Sequence, residues 1–515
     1  VPNNQSSEKK LNIWQVSREM APFAEAGGIK DVVSGLSSAI SRFDHKVTVV
    51  LPMYQFLLCH KKERADIQFC LSINDKNEEI NVHMITYNSI RVFFVSADCF
   101  TSKSLVYTYS REEEKSDKRL VYGMGHTDSH FMNLILQRSV LEIALFLNEK
   151  PDIFHLHDGH TGFLPAIMRH NERYKSHYID TTSLLTVHNA GIVYQQNISS
   201  LNEAVKLTGL QVSVLEDFHT EYGYSPLVCA GMYGDVNTVS ERYAKDILNN
   251  SDISSGSLGD VFKTKKIKFS GITNGIEISK YKTPLFPHTL EPRVDENLNL
   301  WKVEYKSSFF KVLNNIYRDD YVFGSLIEDP ALPLITMQSR LTYQKGVDIF
   351  YESLVHLLSN NTKANFLVLG EGAQVYEQAL SEIASGKKNF CYIRKYDEVL
   401  SQYLFAAGDV FIIPSRWEPC GLTDFIAQLF GNIPIVHETG GLSKTKDMIN
   451  GFSYKDNDSE TLASKIEQVI NFYGKEPQVL HDIRKNAVNL INENYTWEKV
   501  FIKGYLPFYR KITRK

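Results

Sequence analysis

The stretch LNIWQVSREMAPFAEAGGIKDVVSGLSSAISRFDHKVTVVLP, residues 11–52, decides the fold class. Leu11 to Ser17 is a short apolar run of strand length. The pair Gly27-Gly28 follows, and then Ile29, Val32, Val33, Leu36 and Ile40 recur at helical spacing. Lys46 to Pro52 is rich in β-branched residues and predicts a second strand. Strand, glycine-paired turn, helix and strand make a βαβ unit, which implies a parallel sheet covered by helices.

The same alternation recurs outward from this unit. Strands are predicted at 152–156, 183–187 and 235–239, with 268–271 closing the first half. Residues 74–120 break the rhythm with shorter strands, and the charged run REEEKSDKR (111–119) reads as a solvated loop. From Asn274 to about Pro330 the chain reads as an irregular connection with one helical stretch. A second alternating half follows, with strands near 332–338, 365–369, 389–394, 409–413 and 433–436, and a helix from Ser459 to Phe472. An amphipathic, aromatic-rich helix, Trp497 to Ile512, ends it. The expected class is α/β, with two doubly wound, Rossmann-like halves facing across a cleft. In such sheets ligands bind outside the carboxyl ends of the strands, so function is sought in the residues that follow each strand.

Composition narrows the function classes. A chain of 515 residues exceeds one ordinary core, which predicts two domains. With 56 basic and 60 acidic residues, bulk charge offers nothing to nucleic acid. No apolar run reaches the ~18 residues of a membrane span. Six cysteines without a CxxC pair suit reduced thiols in the cytoplasm better than a disulfide framework. Val1 to Lys10 reads as a processed or trimmed polar tail, not a signal peptide.

Six strand-end segments carry candidate chemistry. Gly27 and Gly28 allow close approach of a ligand to the backbone, and the helix that follows offers free N–H groups to a diphosphate; a plain tight turn is the alternative. HLHDGH (155–160) gathers three histidines and Asp158. Its spacing lacks a clean metal face, and Asp158 can accept bonds from sugar hydroxyls. TVHN (186–189) places His188 just beyond a strand. SRLTYQKG (339–346) offers Arg340 and Lys345, two cations able to clamp a diphosphate and neutralise it as it leaves. PSRWEPCGLTDF (414–425) puts Glu418 at a strand end before a helix, where an anion can stabilise positive charge at an anomeric carbon. Cys420 as a nucleophile lacks an evident base. ETGGLSKT (438–445) repeats the glycine-pair turn with Thr439, Gly440 and Gly441, a close-approach turn for a phosphate or ribose, although the pair taken alone reads first as a plain turn. Asp456-Asn457-Asp458 has the form of a metal-binding DxD but precedes a helix, where capping explains it better.

In this order the segments resemble the glycogen synthase and starch synthase family, a glycosyltransferase group of the two-domain GT-B fold. SRLTYQKG, PSRWEPCGLT and TGGL are similar to the family's SRLxxQKG, PSRFEPCGLT and TGGL; HDGH, TVHN and ITNGIE are similar to HDWH, TxHN and LNGID. The resemblance spans about residues 11–512. It implies a first domain over 1–275 completed by 495–515, and a nucleotide-sugar domain over 276–494. It implies metal-independent transfer of glucose, with retention, from ADP-glucose or UDP-glucose to an α-1,4-glucan such as glycogen. It assigns Glu418 as the acidic residue essential for transfer, His188 to the donor glucose, and Arg340 with Lys345 to the diphosphate. Glu19, Gly27, Gly28, Asp31, Asp158 and Asn274 fall at the family's substrate-binding positions in the first half, and Cys420, Gly421, Leu422, Thr439, Gly440 and Gly441 in the second. The chain departs at Glu25, where the family's KTGGL or KVGGL has lysine. A charge reversed ~4 Å from a phosphate costs up to a few kcal/mol. HDGH also lacks the tryptophan of HDWH, and HNAGIVYQQ differs from HNxxYQG. Another GT-B transferase and a catalytically silent glucan-binding protein are the competing expectations; a pyridoxal-phosphate phosphorylase lacks a cofactor-lysine motif here.

Overall fold

Asn12–Val16 (β1) is the hub of the first sheet, because it pairs in parallel with Lys46–Pro52 (β2) on one side and with a later strand, Ile153–His157, on the other. The computed structural model describes residues 9–74, 76–281, 298–316 and 320–514; the polar tail before Lys9 and part of the 274–330 connection lie outside them. The strands that complete this sheet are Ile67–Ile73 (β3), Lys76–Tyr87 (β4), Ile90–Ser96 (β5), Ile153–His157 (β6) and Thr182–Val187 (β7). A small hairpin of its own comes next, His219–Thr220 (β8) and Gly223–Tyr224 (β9), followed by Asp235–Thr238 (β10) and Phe269–Gly271 (β11) of the main sheet. The order is β11-β10-β7-β6-β1-β2-β5-β4-β3. Inside the edge strand β11, its parallel strands are almost wholly buried, as strands covered on both faces must be. The departure after residue 74 is the antiparallel β3–β4–β5 meander.

The second sheet comprises Val322–Ser325 (β12), Leu334–Gln338 (β13), Asn365–Leu369 (β14), Phe390–Ile393 (β15), Val410–Ile413 (β16), Ile433–His437 (β17) and Phe452–Tyr454 (β18). The order is β12-β15-β14-β13-β16-β17-β18, all parallel except the edge strand β12. From β1 in the first sheet and from β13 in the second, the parallel strands wind outward in two directions. The switch points lie between β1 and β6 in the first and between β13 and β16 in the second.

The chain divides into one unit of residues 1–275 with 497–515 and another of 276–496. Trp497 ties the last helical segment to the first unit. It is buried, and a Cβ at Gly35 would lie 2.0 Å from its indole, so only glycine fits there. Arg42 pairs with Glu498, and Phe501 packs on Phe43 and His45. Tyr495 and Thr496, expected with this helix, stay with the second unit, where Ile276 N–H donates to the Tyr495 carbonyl at 2.7 Å. A further correction concerns 111–119: Arg111–Ser116 is a short helix, not a loop. Ser110 and Glu113 form a reciprocal capping box that satisfies its first free N–H groups. Among the described residues no helix is long and apolar enough to cross a membrane.

Candidate active site

In the second unit the two loops flanking the switch point are SRLTYQKG after β13 and PSRWEPCG after β16, and they are laced together by several bonds. Arg416 N–H donates to the Gln344 carbonyl at 2.8 Å, and the Gln344 amide donates to the Trp417 carbonyl at 3.2 Å. The Arg416 guanidinium holds the Tyr343 carbonyl, forks onto Asp348 at 2.8 and 2.6 Å, and stacks 3.7 Å from the Tyr343 ring. Burial would raise the Asp348 pKa, but the Arg416 bond and charge outweigh it and hold the carboxyl below its ordinary value. Gly346, at φ +64°, lies where a Cβ would meet the Pro414 carbonyl at 2.1 Å, so the loops approach as closely as glycine permits.

This lacing brings Lys345 and Glu418 together. The Lys345 ammonium donates to the Glu418 carboxylate at 2.5 Å, with the Ser415 hydroxyl donating to the same oxygen at 3.2 Å. Both side chains are mostly buried, at 21% and 13% exposed, so water screens the pair only partly. Lys345 and Ser415, both bonded to Glu418, supply the surroundings that the following helix was expected to provide. Arg340 lies on the same loop and is exposed.

The glycine pair of TGGL faces inward. A Cβ on Gly440 would sit 2.0 Å from the Glu418 carbonyl, and one on Gly441 2.0 Å from the Cys420 carbonyl. The close approach at these glycines admits the Glu418–Cys420 backbone, and Gly441 N–H donates to the Glu418 carbonyl at 2.8 Å. Lys444, absent from the sequence-based candidates, completes the joint: its ammonium donates to the carbonyls of Cys420 (2.6 Å), Gly421 (2.6 Å) and Gly441 (3.0 Å) and pairs with buried Asp424. Thr439 precedes this turn and Leu422 leads into the helix Thr423–Leu429. Asp458 caps the next helix by accepting from Thr461 N–H at 2.8 Å, the capping role expected of the DxD-like run.

In the first unit the glycine turn after β1 is occupied from within. Glu19 accepts from the N–H groups of Ala26 (2.9 Å) and Gly27 (2.6 Å), and Tyr107 donates to it at 2.6 Å. These two amides, which precede the helix Ile29–Arg42, already hold a carboxylate. Glu25 pairs with Lys30 at 2.5 Å, and Lys30 also lies 3.7 Å from Asp31. Gly28 is open, with nothing within 4 Å of a Cβ there. Asn274 is buried at the end of this unit.

Asp158 and His188 do meet. Asp158, strained at φ +57°, accepts from His188 N–H at 2.6 Å. Burial, only partly opposed by the N–H groups of His188 and Asn189, raises its pKa from near 3.8 to about 7. His155, His157, His160 and His188 are all pushed below the ordinary histidine value by burial. Three of the rings bond to neighbours: His155 reaches Tyr509 and Thr186, each at 2.7 Å, and His157 reaches His188 and Gln15, each at 2.9 Å. Among the described residues no three His, Cys, Asp or Glu side chains form a metal-holding cluster.

A pH dependence follows from these signs. The depressed histidines favour the folded state above pH ~6.5 and cost stability as pH falls, because only the unfolded chain then takes up protons. Asp158 does the reverse: the folded state holds a proton that the unfolded chain releases, so its contribution is lost as pH rises from ~4 to about 7. Asp158→Asn should therefore lose stability more steeply than the parent between pH 8 and pH 5, by about 2 kcal/mol, in urea unfolding at the two pH values. Parallel pH profiles would contradict the assignment.

Two doubly wound Rossmann-like sheets, each with polar and charged side chains gathered at its switch point, are the architecture of a GT-B type glycosyltransferase. Residues 12–263 match the family model described as the starch synthase catalytic domain, and residues 323–489 that of the glycosyl transferases group 1. The chain is 29% identical over 525 residues to the glycogen synthase of Thermodesulfovibrio yellowstonii, covering 98% of each, and 28% identical over 514 residues to that of Bacillus subtilis, covering 96% of this chain and 97% of the relative. The catalytic domain of starch synthase IV from Arabidopsis thaliana, bound to ADP and acarbose, superposes with a TM-score of 0.79 at 25% identity, over 98% of this chain and all of that one. The chain belongs to the glycogen synthase and starch synthase family and is a glycosyltransferase.

Proposed function

We propose that this glycosyltransferase moves glucose from ADP-glucose to the non-reducing end of an α-1,4-glucan such as glycogen, with retention and without a metal. The observation that carries the proposal is the Lys345–Glu418 contact at the switch point of the second sheet. Each partner holds the other in place before substrate arrives. When a nucleotide-sugar enters, its diphosphate draws Lys345 away, with Arg340 as second cation, and the freed Glu418 carboxylate faces the positive charge that develops at the anomeric carbon. The leaving diphosphate, neutralised by lysine, assists attack from the same face. His188 meets a hydroxyl of the donor glucose, and Asp158 holds the His188 backbone. ADP as the nucleotude base carrier is favoured by the ADP bound in the starch synthase IV structure. The six free thiols fit the cytoplasm as the site of action.

Radiolabelled ADP-glucose and UDP-glucose, each with glycogen, test the proposal. Label should enter glycogen from ADP-glucose in preference. Incorporation from UDP-glucose alone would overturn the donor assignment, and incorporation from neither would overturn the reaction.

A further inference from the structure

Gln15 on β1, His157 at the end of β6 and His188 just past the end of β7 belong to three neighbouring strands and form one hydrogen-bonded line. The Gln15 amide nitrogen lies 2.5 Å from the Ser37 hydroxyl and 3.5 Å from the Val33 carbonyl, which can only accept, so the amide points its NH2 that way. Its oxygen then faces His157 Nε2 at 2.9 Å, and that nitrogen must carry the proton. His157 is fully buried, and burial keeps it neutral, so its Nδ1 bears only a lone pair. That lone pair lies 2.9 Å from His188 Nε2, which must donate to it. His188, neutral for the same reason, is left with Nδ1 as a bare acceptor.

We propose that Gln15 and His157 are positioning residues that lock His188 in the Nε2–H tautomer, so that it meets the donor sugar only as an acceptor, through Nδ1, of a hydroxyl proton. The inference rests on the reading that His188 contacts the donor glucose. It explains a glutamine wholly buried in a strand core, where an apolar residue would otherwise pack without needing partners. It also accounts for the second hold on His188: its backbone N–H is taken by Asp158, so ring and backbone are both fixed.

The test has a spectroscopic and a kinetic arm. In the full chain carrying ¹⁵N-histidine, the His188 ring, identified by its loss in His188→Gln, should show a protonated Nε2 and an unprotonated Nδ1; protonation at Nδ1 would overturn the proposal. His157→Phe fills the same space without an acceptor, and kcat should fall about 100-fold, the scale of a misplaced contact group, with KM little changed. His157→Asn places an amide oxygen near the lost Nδ1 and should recover at least a tenth of parental kcat. Equal kcat in the Phe variant and the parent, or no recovery with Asn in a variant that unfolds at the parental temperature, would overturn it. Should His188→Gln keep parental kcat while the ring shows the expected tautomer, the contact of His188 with the sugar fails and the relay stands.

Discussion

Glu418→Gln should lower kcat for glucosyl transfer by at least 10²- to 10³-fold, the usual cost of removing one preorganised electrostatic group, with KM for the donor little changed. Glutamine keeps the size of the side chain and can still accept from Ser415 and Lys345, so the loops should stay in place. What it lacks is the negative charge that would balance the developing oxocarbenium. Loss confined to kcat is the signature of an interaction made only in the transition state. Steady-state kinetics with nucleotide-glucose and glycogen read both constants. A variant with parental kcat would remove Glu418 from the chemistry.

The second large effect concerns stability. Lys444→Met should destabilise the second unit by about 3–5 kcal/mol, because Asp424, at 0% exposure, loses its counter-charge and three carbonyls lose their donor. At roughly 2–4 °C per kcal/mol for a unit of this size, the melting transition should fall by about 10 °C. Asp424 already has its pKa raised by burial, against the pull of Lys444, and without the lysine it should protonate instead of remaining charged. Combining Lys444→Met with Asp424→Asn should therefore recover much of the loss, a coupling that calorimetry of the two single variants and the double would reveal. Additive losses would mean that the lysine and the aspartate act independently.

Much of this architecture is legible in the chain, because buried parallel strands read as short apolar runs and glycine pairs mark the turns that leave them. The strands near 46–52, 365–369 and 433–436 are legible for that reason, and so are the loops at both switch points. What a glycine makes room for is not legible. Gly27 turns around Glu19, and Gly440 and Gly441 admit the backbone of Glu418 and Cys420, whereas in the sequence a plain turn and a ligand-binding turn read alike. Lys444 escaped notice because a lysine among small polar residues looks like surface; only the fold shows it 5% exposed inside a ring of carbonyls. Gln15 was hidden in the same way, a polar letter between apolar Trp14 and Val16. The helix at 111–116 could have been found, since Ser110 and Glu113 stand at the spacing of a capping box.

The central claim is that Lys345 leaves Glu418 to hold the diphosphate of the donor. Calorimetric titration of ADP into the parent and into Lys345→Met tests it most directly. Losing one charge-assisted contact of about 1.5–3 kcal/mol should weaken ADP binding by roughly 10- to 100-fold, while adenosine binds both proteins alike. Equal ADP affinity in the two proteins would contradict the claim.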